Sequence, residues 1–246
     1  MHVVLKKANN VQFEPVISGV SVVLVGDFAP AIFTPAWFAL NDLLPKRVAD
    51  SANLQIAHNQ LTVFEADWLN IRVEPERFTA ETFQSPNIRL CDIVLNVFKK
   101  HLDHTPLKAF GINRTIHFCV GNPDERDQIG RTLAPVKPWG EWASKIGFNS
   151  KQAGMLSLTM SPPKSDERLS DGRIRVTVEP STMVGDEILG VFVNVNNHYA
   201  NDNANSGGTK PLLKLLEDNF ENSIELSDGI IDHVMSLAKS QGNLNL

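Results

Sequence analysis

Residues 188–220 read ILGVFVNVNNHYANDNANSGGTKPLLKLLEDNF. The first third alternates. Leu189, Val191, Val193 and Val195 fall on one side of an extended chain; Phe192, Asn194, Asn196 and His198 fall on the other. That pattern predicts a strand with one face in the core. A run of small polar residues follows, with Gly207, Gly208, Thr209 and Lys210 at its end, and Pro211 then opens an amphipathic helix through Phe220. A strand that empties through such a loop into a helix is a common frame for a ligand site.

The pattern on either side sets the fold class. Residues 16–25 contain the continuous run SVVLV, which predicts a central strand covered on both faces. Thr34-Pro35 reads as cap and first residue of a helix closed by Pro45, and Ser85-Pro86 as the start of a second, IRLCDIVLNVFKKHL. Between them, residues 52–83 alternate apolar and polar positions, with turns at His58-Asn59-Gln60, Ala66-Asp67 and Glu74-Pro75-Glu76, as in a meander. LKAFGINRTIHFCV (107–120) predicts a long strand in which Gly111 marks a bulge or a close approach. Residues 121–138 carry three prolines, two glycines and a charge run without periodicity, and read as a boundary. After a short helix near Trp139–Ile146, strands are expected at 155–160, 173–179 and 189–195, and helices at 211–220 and 228–238. Strands cluster instead of alternating singly with helices. The expected class is therefore α+β: two mixed or antiparallel sheet-and-helix halves, residues 1–125 and 126–246, packed together or continuous, with helices mainly on one face of each sheet.

Composition narrows the function classes. The chain has 246 residues, 42% of them hydrophobic and 21% charged, enough for one large core or two moderate ones. No apolar run reaches the length of a membrane span, and MHVVLKKANN lacks the order of a signal peptide. Net charge is −5, with no dense basic run, so nucleic acid is not an expected partner. Cys91 and Cys119 sit far apart among apolar residues and read as buried, reduced thiols of a cytoplasmic protein. No cofactor fingerprint is present.

Candidate chemistry is thin. Asn194, Asn196 and His198 could bind a polar ligand, or could be the solvated face of a sheet; amides are poor metal ligands. Gly207, Gly208, Thr209 and Lys210 resemble a phosphate cradle in composition, but the order GxxxxGK[ST] is absent, and a plain connector fits equally. Asn113 and His117 share one strand face and Arg114 takes the other; they could line a pocket or form a structural hydrogen-bond network, and a buried Arg114 would need a carboxylate partner. His101 and His104 have helical ligand spacing without a third ligand, so no metal is expected. No GxSxG elbow exists. Arg173 and Arg175 lie on one strand face, without the aromatics of a stacking platform.

The segments TPAWFAL, RVEPERFTAETF, TPLKAFGINRTIHF, GVFVNVNNHY and PLLKLLEDNFENSI together resemble a sporadically distributed family of uncharacterised bacterial proteins of about this size. The resemblance implies a bacterial intracellular origin and an accessory gene, and supplies no mechanism. Asn194 and Asn196 stand where that family carries acidic character. The expectation is a non-catalytic binding or protein-interaction protein, acting with itself or a partner protein. The alternative is an enzyme or nucleotide- or phosphate-responsive protein with its site at residues 194–210, assisted by Asn113, Arg114 and His117.

Overall fold

Among the described residues the alternating segments form nine strands: β1 Pro15–Gly26, β2 Asn53–His58, β3 Leu61–Ala66, β4 Leu69–Glu74, β5 Arg77–Thr82, β6 Leu107–Cys119, β7 Leu158–Met160, β8 Arg173–Ser181 and β9 Gly190–Ala200. The computed structural model describes residues 14–145, 155–162, 173–185, 188–200 and 209–239. The N-terminal stretch MHVVLKKANN, residues 163–172 and the polar run 201–208 lie outside the described residues. The fold is α+β, as its clustered strands imply, but the sheet is one and not two. Its order is β2-β3-β4-β5-β1-β6-β9-β8-β7, and the pairings across it are antiparallel. The two halves meet edge to edge, by the β6–β9 ladder from Ala109↔Ala200 to Cys119↔Gly190. One sheet therefore crosses the expected division at 125/126.

The meander β2–β5 follows its sequence pattern closely, because each hairpin needs only its own alternation and a turn. Asp67 takes a left-handed conformation at the β3–β4 turn (φ 53°). β1 is central, as expected, but covered on one face only. Val20, Val22 and Leu24 are buried, whereas Ser21, Val23 and Val25 are half-exposed.

The helices are α1 Pro35–Leu40, α2 Lys46–Asp50, α3 Ile88–Asn96, α4 Pro123–Leu133, α5 Gly140–Lys145 and α6 Thr209–Ser236. Thr34 caps α1 as predicted, its hydroxyl accepting from Trp37 N at 3.2 Å. That helix stops at Leu40, however, where Asp42 turns left-handed (φ 56°), and Pro45 begins α2 instead of closing α1. Ser85 does not cap α3; Asn87 precedes it, without a side-chain cap bond.

Two further differences matter more. Residues 123–133 are helical, not a linker. Asn122 Oδ1 accepts from Glu125 N (3.0 Å), Glu125 Oε2 accepts from Gly121 N (2.7 Å), and Pro123 occupies the first turn. This is a variant of the capping box, in which the acid reaches back past the cap to Gly121. Asp127, part of the charge run read as a boundary, is buried beside Arg126. The two C-terminal helices are likewise one, of 28 residues. No proline interrupts residues 212–236, and Gly229 costs only about 1 kcal/mol.

α6 is ~42 Å long at ~1.5 Å per residue, and the 13-residue β6 is about the same length at ~3.4 Å per residue. The helix rides on that strand from end to end. Its first half, Leu212, Leu213, Leu216 and Phe220, closes a core with Phe98, Phe110, Val22 and Phe78. Its last half, Ile231, Val234 and Met235, closes a second core with Ile116, Phe118, Val193 and Ile129 of α4. α1, α3 and α4 contribute to these cores on the same side of the sheet.

Candidate functional site

Pairing of the strands assigns every candidate on β6 and β9 to one of two sheet faces. Arg114, Val195, Asn197 and Tyr199 face α6. Asn113, Thr115, His117, Asn194, Asn196 and His198 face the other way.

Under α6 the two cores are separated by a polar seam. Arg114, whose side chain is 12% exposed, sends Nε to Asp228 Oδ1 (2.7 Å) and Nη1 to Ser18 Oγ (2.9 Å) and Gly19 O (3.2 Å). It thus ties β1, β6 and α6 together, and Asp228 is the carboxylate partner its position demanded. Asn197 Nδ2 donates to Ser227 Oγ (2.9 Å), Ser227 Oγ donates to Ser223 O (2.6 Å), and Tyr199 Oη pairs with Ser223 Oγ (2.9 Å). Among the described residues no buried side-chain nitrogen or oxygen lacks a hydrogen-bond partner. The seam sets how α6 sits along the sheet; it holds no free group for chemistry.

The opposite face is a set of cross-strand rows. One row reads Asn53, Glu65, Asn70, Glu81, Ser21, Asn113, Asn196, Arg175 across eight strands. Within it Asn196 Nδ2 donates to Asn113 Oδ1 (2.6 Å) and Asn113 Nδ2 to Ser21 Oγ (3.2 Å). In the next row Thr115 Oγ1 donates to Asn194 Oδ1 (3.0 Å). Gly111 is a close approach and not a bulge: a Cβ there would stand 2.9 Å from Asn196 Nδ2. His117 bonds Ser181 Oγ through Nδ1 (2.8 Å) and packs on the ring of Phe192, and burial lowers its pKa. His198 is lowered by burial first, then by Arg173 and Arg175. Both rings are therefore held toward the neutral form.

The remaining candidates lie elsewhere. Thr209 Oγ1 donates to the Thr105 carbonyl and anchors the start of α6; Lys210 beside it is exposed. Gly207 and Gly208 lie outside the described residues. Because α6 packs against the Asn197/Tyr199 face, Lys210 and His198 stand on opposite sides of the sheet. The structure thus brings Asn113, His117, Asn194, Asn196 and His198 onto one surface, and separates Arg114, Thr209 and Lys210 from it.

His101 lies edge-on to Trp37, His104 pairs with Asp103, and no group of three or more His, Cys, Asp or Glu among the described residues could hold a metal ion. Cys91 is buried, its thiol pushed up to about 12 mainly by burial and by the nearby Asp92, and it forms no disulfide. No helix among the described residues is long and apolar enough to cross a membrane.

Sequence reading missed two features of this surface. Glu81, on β5, sits in the same row as Asn113; burial raises its pKa, against a hydrogen bond from Asn70. The half-exposed Val23 and Val25 mix aliphatic area into the amide field. Only the strand order reveals either neighbour. No protein-family model matches this chain, and no curated protein matches it.

Proposed function

We propose that the protein is a non-catalytic, cytoplasmic protein-interaction module that works through the sheet face opposite α6. The observation that carries this reading is the character of that face. It is broad and mixed. Val23, Val25, Ile17 and Phe192 are half-exposed, Ile56 is 41% exposed, and Phe83 at 49% lies over Gly19. Between these stand Asn113, Thr115, Asn194 and Asn196, whose amides and hydroxyls bond one another. Amides committed to lateral bonds are poor acids, bases and nucleophiles. They still present the spare donors and acceptors that a protein interface uses alongside apolar area. Two free cysteines fit a reducing compartment.

A photo-crosslinking residue at Val23, in cells producing the full chain, tests the reading against the same residue at exposed Glu225 on α6. Protein adducts formed from position 23 and not from 225 support it. No protein adduct from position 23, or equal capture from both positions, refutes it.

A further inference from the structure

The face that carries the proposed interaction has an internal electrical asymmetry that says what covers it. At one end of the central stretch of the long row stands Glu81, partly desolvated, hydrogen-bonded to Asn70 and without a cation in ion-pair distance among the described residues. At the other end stands Arg175, with Arg173 two residues before it on the same strand face; both are exposed, and neither has an acidic partner among the described residues. Their positive charge disfavours protonation of the neighbouring His198. Of the other charges on the face, Arg72 pairs with Glu74, while Glu65 and Glu179 accept hydrogen bonds from Gln55 and Ser157 and Arg77 stands at the β4–β5 turn.

Between these ends lie the neutral residues Ser21, Asn113 and Asn196. Glu81 and Arg175 are four strands apart, so the row has an acidic end, a neutral middle on β6 and a basic end. A two-fold axis running along β6, just above the face, exchanges the ends and sets Glu81 of each copy toward Arg175 of the other. The same axis lays β1 of each copy over β9 of the other, so that Val23 and Val25 meet the rows of His198 and Ala200, and Ile17 meets the row of Phe192.

We propose that the occupant of this face is a second copy of this chain, packed sheet to sheet about a two-fold axis near Asn113, with Glu81 and Arg175 forming reciprocal ion pairs. The area is close to what a stable dimer needs. With the axis along β6 the seven strands from β4 to β7 overlap; ~4.8 Å apart, with about six positions each at ~3.4 Å, they give roughly 700 Å², against about 800 Å² from each partner in an interface of standard size. Two antiparallel sheets packed this way form an ordinary sandwich. The amides would exchange part of their water for one another, and the two charged ends would specify the orientation.

This rests on the interaction reading above, and the two can fail separately. The test is sedimentation of the purified full chain with reciprocal charge swaps. Wild type is expected as a dimer that weakens with salt. Glu81→Arg and Arg175→Glu each place like charges at two symmetric contacts, and each should weaken dimerisation by about 100-fold or more. Mixing the two single variants removes both repulsions. In the mixed pair the two substituted side chains, of opposite charge, face each other at one contact, and the native Glu81 and Arg175 face each other at the second. The mixture should therefore dimerise where each variant alone does not. The double variant Glu81→Arg/Arg175→Glu reverses both pairs and should dimerise on its own. Circular dichroism and the urea midpoint of each single variant establish that it folds. A monomeric wild type, or a dimer indifferent to the single swaps, overturns the proposal. Crosslinking from position 23 separates the two readings. Adducts of twice the chain mass support the second copy. Adducts with a different protein or with nucleic acid overturn it, the first leaving the interaction reading standing and the second removing both.

Discussion

Replacing Arg114 with alanine should destabilise the fold by about 2–4 kcal/mol, and most of that loss should come from β1 and not from the ion pair. The side chain is 12% exposed and makes three polar contacts: Asp228 at 2.7 Å, Ser18 Oγ at 2.9 Å and Gly19 O at 3.2 Å. Asp228 is 45% exposed, so water can take over much of its solvation, and the pair itself is worth no more than about 1 kcal/mol. Gly19 is buried and Ser18 half-buried on β1, and leaving their carbonyl and hydroxyl unpaired costs roughly 1–3 kcal/mol together. A void beneath α6 adds to this. Urea unfolding measures the loss, with an unchanged dependence on denaturant showing that the unfolded state is the same. A double-mutant cycle with Asp228→Asn then isolates the ion pair and should give a coupling below about 1 kcal/mol. Arg114→Lys should recover only part, because one ammonium nitrogen cannot stand in both places from which Nε reaches Asp228 and Nη1 reaches Ser18 and Gly19. A loss below about 1 kcal/mol for Arg114→Ala, or a coupling equal to the whole loss, would refute this account of the seam.

Gly229→Ala should stabilise the protein by roughly 0.5–1 kcal/mol in the same assay, since a Cβ there meets nothing within 4 Å and the helix gains a better former. Phe220→Ala should cost about 3–5 kcal/mol, because its ring is fully buried in the first core. Stability should fall as pH drops below about 6.5: the folded state holds His117 and His198 below their ordinary pKa, so the unfolded chain takes up protons first. The loss continues until pH passes the lowered folded values, and a His117→Asn/His198→Asn variant should show a shallower slope of urea midpoint between about pH 7.5 and 5.5. Cys91 should resist maleimide at neutral pH and react only on unfolding, since its pKa of about 12 leaves almost no thiolate.

The parts of this fold legible in sequence are those fixed by neighbours in the chain. The alternation of β2–β5, the two faces of β9 and the split between Asn113 and Arg114 follow from the period of a strand. Arg114 announces its need for an acid, although only the packing of α6 names Asp228. The helix at 123–133 is legible too: Asn122, Pro123 and Glu125 are a cap, a first-turn proline and a third-position acceptor, and their charge disguises them as a loop. What no local pattern carries is the β6–β9 pairing, between segments separated by some 70 residues of chain. That pairing turns two expected sheets into one. It also brings Asn196 to Asn113 and leaves Lys210 on the far side from His198. Glu81 is hidden for the same reason: in sequence it is one carboxylate in a meander, and only strand order sets it in a row with Arg175.

The position of α6 bears on how the molecule comes apart. The same helix closes both cores, and the same ladder joins both sets of strands. Losing the helix from one core strips the cover from Phe110 and Phe98, and from the other it uncovers Ile116 and Val193. Neither half can melt while the other keeps its full lid. Heat or urea should therefore act on the chain as a single cooperative unit, with fluorescence and far-ultraviolet circular dichroism reporting coincident transitions. In that thermodynamic sense the two halves should behave as one folding unit, made so by α6.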